Sequence, residues 1–227
     1  MVRSLLNVAP ADQLRAAVYD ETGNGGRPSR TAIALSPDGR WLVFSAIRGG
    51  KQRLFRRALD QLEAVPMEGT EDGASPFFSP NDQWVGFWAG NTPTIFGASW
   101  SSDDTIVFGR ERGGLMRVPA AGGVPQPLTT TDAAAHEVSH RLPHVLPDGK
   151  AVVFTITRDL MPNWQGAELA VQSLATGVRK SLGRGADARY VPPAGALVFV
   201  REGTLFTAPF DLSRMEVTGA PSACWRT

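Results

Sequence analysis

The stretch LSPDGRWLVFSA, residues 35–46, decides the fold. Pro37 presets φ for a turn, Asp38 caps backbone N–H groups, and Gly39 accepts a positive φ. The apolar run that follows and closes on Phe44 suits a strand buried on both faces. The same phrase returns as FSPNDQWVGFWA from Phe78, WSSDDTIVFGR from Trp100, VLPDGKAVVFTI from Val145 and YVPPAGALVFV from Tyr190. The closing aromatics are Phe44, Phe87, Phe108, Phe154 and Phe199, with separations of 43, 21, 46 and 45 residues.

Working outward from each copy, RLFRRAL (53–59), GLMRVPA (114–120), ELAVQSL (168–174) and TLFTAPF (204–210) alternate apolar and polar residues, as half-exposed strands do. A turn and a short outer segment follow each. Four short antiparallel strands in about 45 residues is the pattern of a propeller blade. No stretch carries a sustained helical period. The fold class is therefore all-β, a β-propeller of about five four-stranded blades with the second shortened to about two strands. Blades are expected at 31–73, 74–95, 96–135, 136–184 and 185–221. The 21-residue interval means that the second copy keeps its inner hairpin and lacks its outer pair. Its exposed edge calls for a cover: the N-terminal segment, a neighbouring blade that shifts round, or a second subunit, which would make a homo-oligomer. Residues 1–30 lack the phrase. VRSLLNV (2–8) reads as a strand that completes the last blade and closes the ring, and 20–30 as a loop.

Composition narrows the function. Of 227 residues, 42% are hydrophobic and 20% charged, which is globular, and the formal net charge is +1. That excludes the basic footprint of a nucleic-acid binder and gives no reason for capture by an anionic membrane. There is no membrane-spanning apolar run and no signal-peptide pattern in the sequence given. Cys224 is the only cysteine, so no disulfide forms within the chain.

LSPDGRWLVFSA, FFSPNDQWVGFW, ASWSSDDTIVFG, LMRVPAAGGVPQPLT, SHRLPHVLPDGKAVVFT and GTLFTAPFDL together resemble the TolB-like, WD-type Pro-Asp repeat propellers. They look closest to the sensor-like propeller C-terminal to bacterial eukaryotic-type Ser/Thr protein kinases. The resemblance runs from Thr31 to Pro221. It implies an extracytoplasmic, periplasmic binding or scaffolding domain with no catalytic residues of its own. The shortened blade and the lack of a kinase or membrane segment depart from that family.

Four groups of residues are candidates for chemistry. His136, His140 and His144 lie in AAHEVSHRLPH, near Asp132 and Glu137, and clustered imidazoles of this kind bind divalent metals. On a regular strand His140 and His144 share a face, so a metal-dependent lyase or a hydrolase centred on them is the alternative to a binding module. Polar groups bonding neighbouring loops are the structural reading of the same residues. Serines at 36, 75, 79, 99, 101 and 139 sit at turn positions and show no G-x-S-x-G elbow. Trp41, Trp84 and Trp100 are expected in the core, whereas Trp88 and Trp164 are candidates for an exposed binding surface. Arg141, Arg189 and Arg201 recur near inner strands, where guanidinium groups would meet an anionic ligand or form salt bridges. The leading expectation is a non-catalytic module that holds a protein, a peptide or a small polar ligand, with no cofactor beyond a candidate divalent metal.

Overall fold

Ser36 Oγ donates to Asp38 Oδ1 at 2.6 Å and accepts from the N–H groups of Arg40 and Trp41, in the computed structural model that describes residues 8–15, 32–89, 95–159, 164 and 166–225. The turn is thus closed by its own side chains, with Gly39 at φ 72°. The second copy repeats it atom for atom through Ser79, Asn81 and Trp84, with Asp82 at φ 61°. Asp103 and Asp148 cap the third and fourth turns through the N–H groups of Thr105 and Lys150. The fifth becomes a 3-10 turn, Pro192–Ala194, ended by Gly195 in the left-handed region. Four of the five copies give side-chain-capped turns, and the fifth gives a 3-10 turn.

The chain divides into two compact units, 1–94 and 95–227. In the first, β1 (Gln13–Leu14), β2 (Ile33–Leu35), β3 (Trp41–Arg48), β4 (Lys51–Ala58) and β5 (Val65–Pro66) form one antiparallel sheet. β1 and β2 both pair with β3: Arg15 N–H donates to Ser45 O, and Ser45 N–H donates to Ala32 O. β1 and β2 thus pair with successive parts of the same edge of β3. This N-terminal strand belongs to the first sheet; the expected ring-closing strand at 2–8 and the loop at 20–30 fall almost wholly outside the described residues. Leu42, Phe44, Ala46, Phe55 and Ala64 form the core of this sheet. β6 (Ala74–Phe78) and β7 (Val85–Trp88) make a separate two-stranded sheet beside it, anchored where Ser45 Oγ donates to Gly73 O at 2.7 Å.

The second unit holds three sheets. The first comprises β8 (Ile95–Trp100), β9 (Thr105–Arg110), β10 (Met116–Pro119) and β11 (Gln126–Pro127). The next comprises β12 (Ser139–Val145), β13 (Ala151–Thr157), β14 (Glu168–Ser173) and β15 (Arg179–Arg184). The last comprises β16 (Ala186–Val191), β17 (Ala196–Arg201), β18 (Thr204–Asp211), β19 (Glu216–Val217) and β20 (Ser222–Trp225). β13 is buried along its whole length, as its AVVFTIT run demands. Val152, Phe154 and Ile156 pack toward β9 and Val107, while Ala151 and Val153 pack toward Leu197 and Phe199 of β17. The described residues contain no α-helix and no helix long and apolar enough to cross a membrane.

Four sheets of four or five strands are blades, so the count is four and not the five expected. The phrase from Phe78 builds only the β6–β7 hairpin.

Candidate functional site

Each described inner strand outside the first sheet carries a β-bulge. The register slips by one between Ala74 and Phe77, Ile95 and Ala98, Arg141 and His144, and Ala186 and Arg189. At each slip one residue sits in the left-handed region, namely Ser75, Gly97, Leu142 and Asp187, always three residues before the turn phrase begins. A bulge re-aims every side chain beyond it. In β12 it separates the histidines. His140 lies opposite Ile156 and His144 opposite Val153, so the two rings point to opposite faces of the sheet, contrary to the regular alternation expected from sequence. His136 stands apart on an exposed turn at φ 55°. Among the described residues no three His, Cys, Asp or Glu side chains are grouped to hold a metal ion.

His140 is fully buried against the Phe154 ring, at 4.6 Å between centroids. Thr129 Oγ1 lies 2.6 Å from His140 Nδ1 and accepts from Leu115 N–H at 2.8 Å, so the hydroxyl donates to Nδ1. His140 Nε2 then donates to Glu137 Oε2 at 3.1 Å, and the same oxygen accepts from Arg179 and from Asp132 N–H. Burial opposes the Glu137 charge, yet the hydrogen bonds from Asp132, His140 and Arg179 prevail and hold its carboxyl below the usual range. Burial also pushes His140 below its ordinary value against the pull of Glu137. The order hydroxyl, imidazole, carboxylate is that of a nucleophile with its base. Here Thr129 Oγ1, both His140 ring nitrogens and Glu137 Oε2 each have a partner, and the chain ties the end of β11 to β12 and β15. It is a structural clasp.

Arg141 is 1% exposed. Its Nε donates to Ser139 Oγ at 2.7 Å, its Nη2 donates to Glu111 O at 3.0 Å, and its guanidinium lies 4.1 Å from the Phe96 ring centre. It braces β12 against β8 and presents nothing to a ligand. Arg189, the second expected guanidinium, is half-buried: Nη1 donates to Pro143 O at 3.0 Å, and Nη2 lies 2.8 Å from Asp187 Oδ1. His144 is on the same side of β12, and burial followed by the charge of Arg189 pushes its imidazole down to about 3. Arg201 stacks on Phe206 at 4.0 Å.

The tryptophans are redistributed relative to expectation. Trp88 and Trp164 are half-buried, whereas Trp84 is exposed and Trp41 is 38% exposed beneath the Arg56 guanidinium. Trp41 belongs to a larger feature at the turn end of the first sheet. Leu35 closes β2, Leu59 follows β4, Leu62 lies in the next loop and Val65 opens β5; these four are 48% to 79% exposed. The hydrogen-bonded ladder places them at one end of the sheet: Trp41 is opposite Ala58 and Val65 opposite Arg56, which puts Trp41, Arg56 and Val65 on one face, while Leu35, opposite Leu42, and Leu59, whose N–H donates to Arg40 O, follow the other. Apolar exposure gathered at one sheet end differs from scattered single exposures. Sequence reasoning missed it because each residue sits in an ordinary strand pattern; the signal was the LDQLEAV segment, too apolar for a free loop.

No protein-family model matches the sequence, and no curated protein is similar to it in sequence. Solved structures are similar in fold. The β-propeller domain of Cps50 (Swd1) from Myceliophteria thermophila superposes with a TM-score of 0.60 at 12% identity, covering 81% of this chain and 66% of that one. Hydrazine synthase of Kuenenia stuttgartiensis gives 0.59 at 11% identity, covering 85% and 40%. TolB from Acinetobacter baumannii gives 0.41 at 18% identity, covering 78% and 40%. The chain thus spans less than two thirds of the length of these structures. The sheets, with the likenesses to the Cps50 (Swd1) propeller domain and to hydrazine synthase, define the class: an all-β propeller.

Proposed function

We propose that this propeller is a non-catalytic binding module whose contact surface is the apolar rim at the turn end of its first sheet. The observation that carries the reading is the convergence of Leu35, Trp41, Leu59, Leu62 and Val65 on one end of one sheet. Interface energy concentrates in aromatic and arginine anchors set among apolar neighbours, and Trp41 with Arg56 has that composition. The sealed state of the Thr129–His140–Glu137 chain supports the absence of catalysis there. The finer parts of the reading belong to the same proposal: a sensor role of the kinase-linked kind, a periplasmic setting, the β6–β7 hairpin as a shortened repeat beside the four blades, and pairing of two copies through that hairpin.

The test is reconstitution. Proteins retained by the immobilised chain are identified and purified, and their binding is measured against a Leu59→Asp/Leu62→Asp variant. Loss of at least about tenfold in affinity with an unchanged circular dichroism spectrum is expected. Equal affinity of variant and wild type would refute the rim as the contact surface.

A further inference from the structure

The last two sheets repeat one pattern, so residues 45 apart can be compared position by position: Phe154 corresponds to Phe199, Val153 to Val198 and Thr155 to Val200. On the next strand of each sheet, Leu169 and Val171 stand opposite Thr155 and Val153, as Leu205 and Thr207 stand opposite Val200 and Val198. In the β12–β15 sheet the four residues Val153, Thr155, Leu169 and Val171 are at most 1% exposed. Their face packs on Leu197, Phe199, Ala208 and Phe210 of the sheet that follows. The same four positions of the β16–β20 sheet are open. Val200 is 41% and Leu205 37% exposed, and Val198 and Thr207 are half-buried. Within the second unit no described strand stacks on them. A face that makes the sheet-to-sheet contact one repeat earlier is here presented to solvent.

One repeat earlier the cover is another sheet of the same chain, and the charge pattern favours a second copy of the chain in that place. A two-fold axis sets a face against itself, so every unpaired charge on it meets its own kind. The centre of this face, Ala196, Val198, Val200, Leu205, Thr207 and Pro209, carries no charge. Arg189, opposite Val198, is neutralised by Asp187 at 2.8 Å. At the outer corner Asp211 accepts from Ser213 and from Arg214 N–H within its own turn, and Glu216 is paired with Lys180 and Arg214. Self-pairing therefore buries apolar surface without setting like charges against each other. We propose that the Val198–Val200–Leu205 face of the last sheet pairs with the same face of a second copy, giving a reversible two-fold dimer. This face lies in the second unit, so the inference stands or falls separately from the rim of the first sheet.

The experiment is sedimentation velocity of the full chain over about 1–200 μM. The mass is expected to rise from monomer to dimer and no further. Val200→Lys/Leu205→Lys sets lysines against lysines across the axis and is expected to weaken association at least about tenfold, with an unchanged circular dichroism spectrum. Both positions are exposed; if the double variant fails to fold, Leu205→Lys alone decides. Hydrogen–deuterium exchange at the two ends of the concentration range locates the contact, and protection of peptides spanning residues 196–209 is expected. A wild type that stays monomeric throughout overturns the proposal and leaves the face to a partner of another kind. Growth beyond a dimer overturns the two-fold pairing. So does equal association of variant and wild type, or protection confined to β7 or to residues 35–41 and 58–66, which would assign the pairing to the hairpin or to the rim.

Discussion

His144 makes the stability of the second unit depend on pH in a window where little else titrates. Its imidazole falls from 6.5 in the unfolded chain to about 3 in the fold, because burial and then the Arg189 charge disfavour the protonated ring. The folded state therefore excludes a proton that the unfolded state takes up. Stability from this residue is complete above about pH 7 and is lost progressively as the pH falls through 6.5 toward 3. At pH 5 the unfolded chain is favoured by RT times the logarithm of about 33, which is about 2 kcal/mol, and this value hardly changes for any folded value below 4. The depressed carboxyls, Glu137 and Glu168 among them, start from 4.5 or lower, so most of their loss of stabilisation falls below about pH 5, beneath the interval compared. His140 is shifted in the same direction and adds to the loss. Urea unfolding followed by circular dichroism, at about pH 7.5 and about pH 5, is the assay, with His144→Phe as the comparison. The wild type is expected to lose about 2 kcal/mol more than the variant over that interval. Equal losses would refute the account of His144 as a neutral, enclosed ring.

Three further outcomes follow from packing. Thr129→Val keeps the shape but strips the buried Leu115 N–H and His140 Nδ1 of their partner, for an expected loss of about 2–4 kcal/mol in chemical denaturation. Gly114→Ala places a Cβ 1.7 Å from Thr129 O, a backbone atom, so the strand must move; a fall in Tm beyond that of the valine variant is expected. Phe154→Ala empties the centre of the β12–β13–β14 sheet, where the ring is fully buried, and should cost about 3–5 kcal/mol by the same assay.

Much of the fold was legible because its turns are self-contained. Ser36, Asp38 and Gly39 close their turn with atoms inside the phrase, so the phrase alone predicts it wherever it recurs. The bulges were not legible. Ser75, Gly97, Leu142 and Asp187 share a position and no chemistry, and a leucine at positive φ has no local signature. That single unread feature placed His140 and His144 on one face when the structure sets them on two. The blade count erred for a related reason: a turn phrase announces a hairpin, but whether two more strands follow depends on the residues after it, and after Trp88 the next described strand, β8, already opens another sheet. The candidate site was legible only in part. Arg189 was legible from its place beside an inner strand, whereas its pairing with Asp187 depends on the bulge that presents the carboxylate. Trp41 and Trp84 follow their turns at equivalent places, and the sequence could not show that these strand starts lie at the open end of their sheets.

The central claim is that the first sheet's rim binds a partner. Its most direct measurement is hydrogen–deuterium exchange of the full chain with and without the reconstituted partner. The account predicts protection of peptides spanning residues 35–41 and 58–66, and its loss in the Leu59→Asp/Leu62→Asp variant. Protection confined to other segments, with these two unchanged, would contradict it.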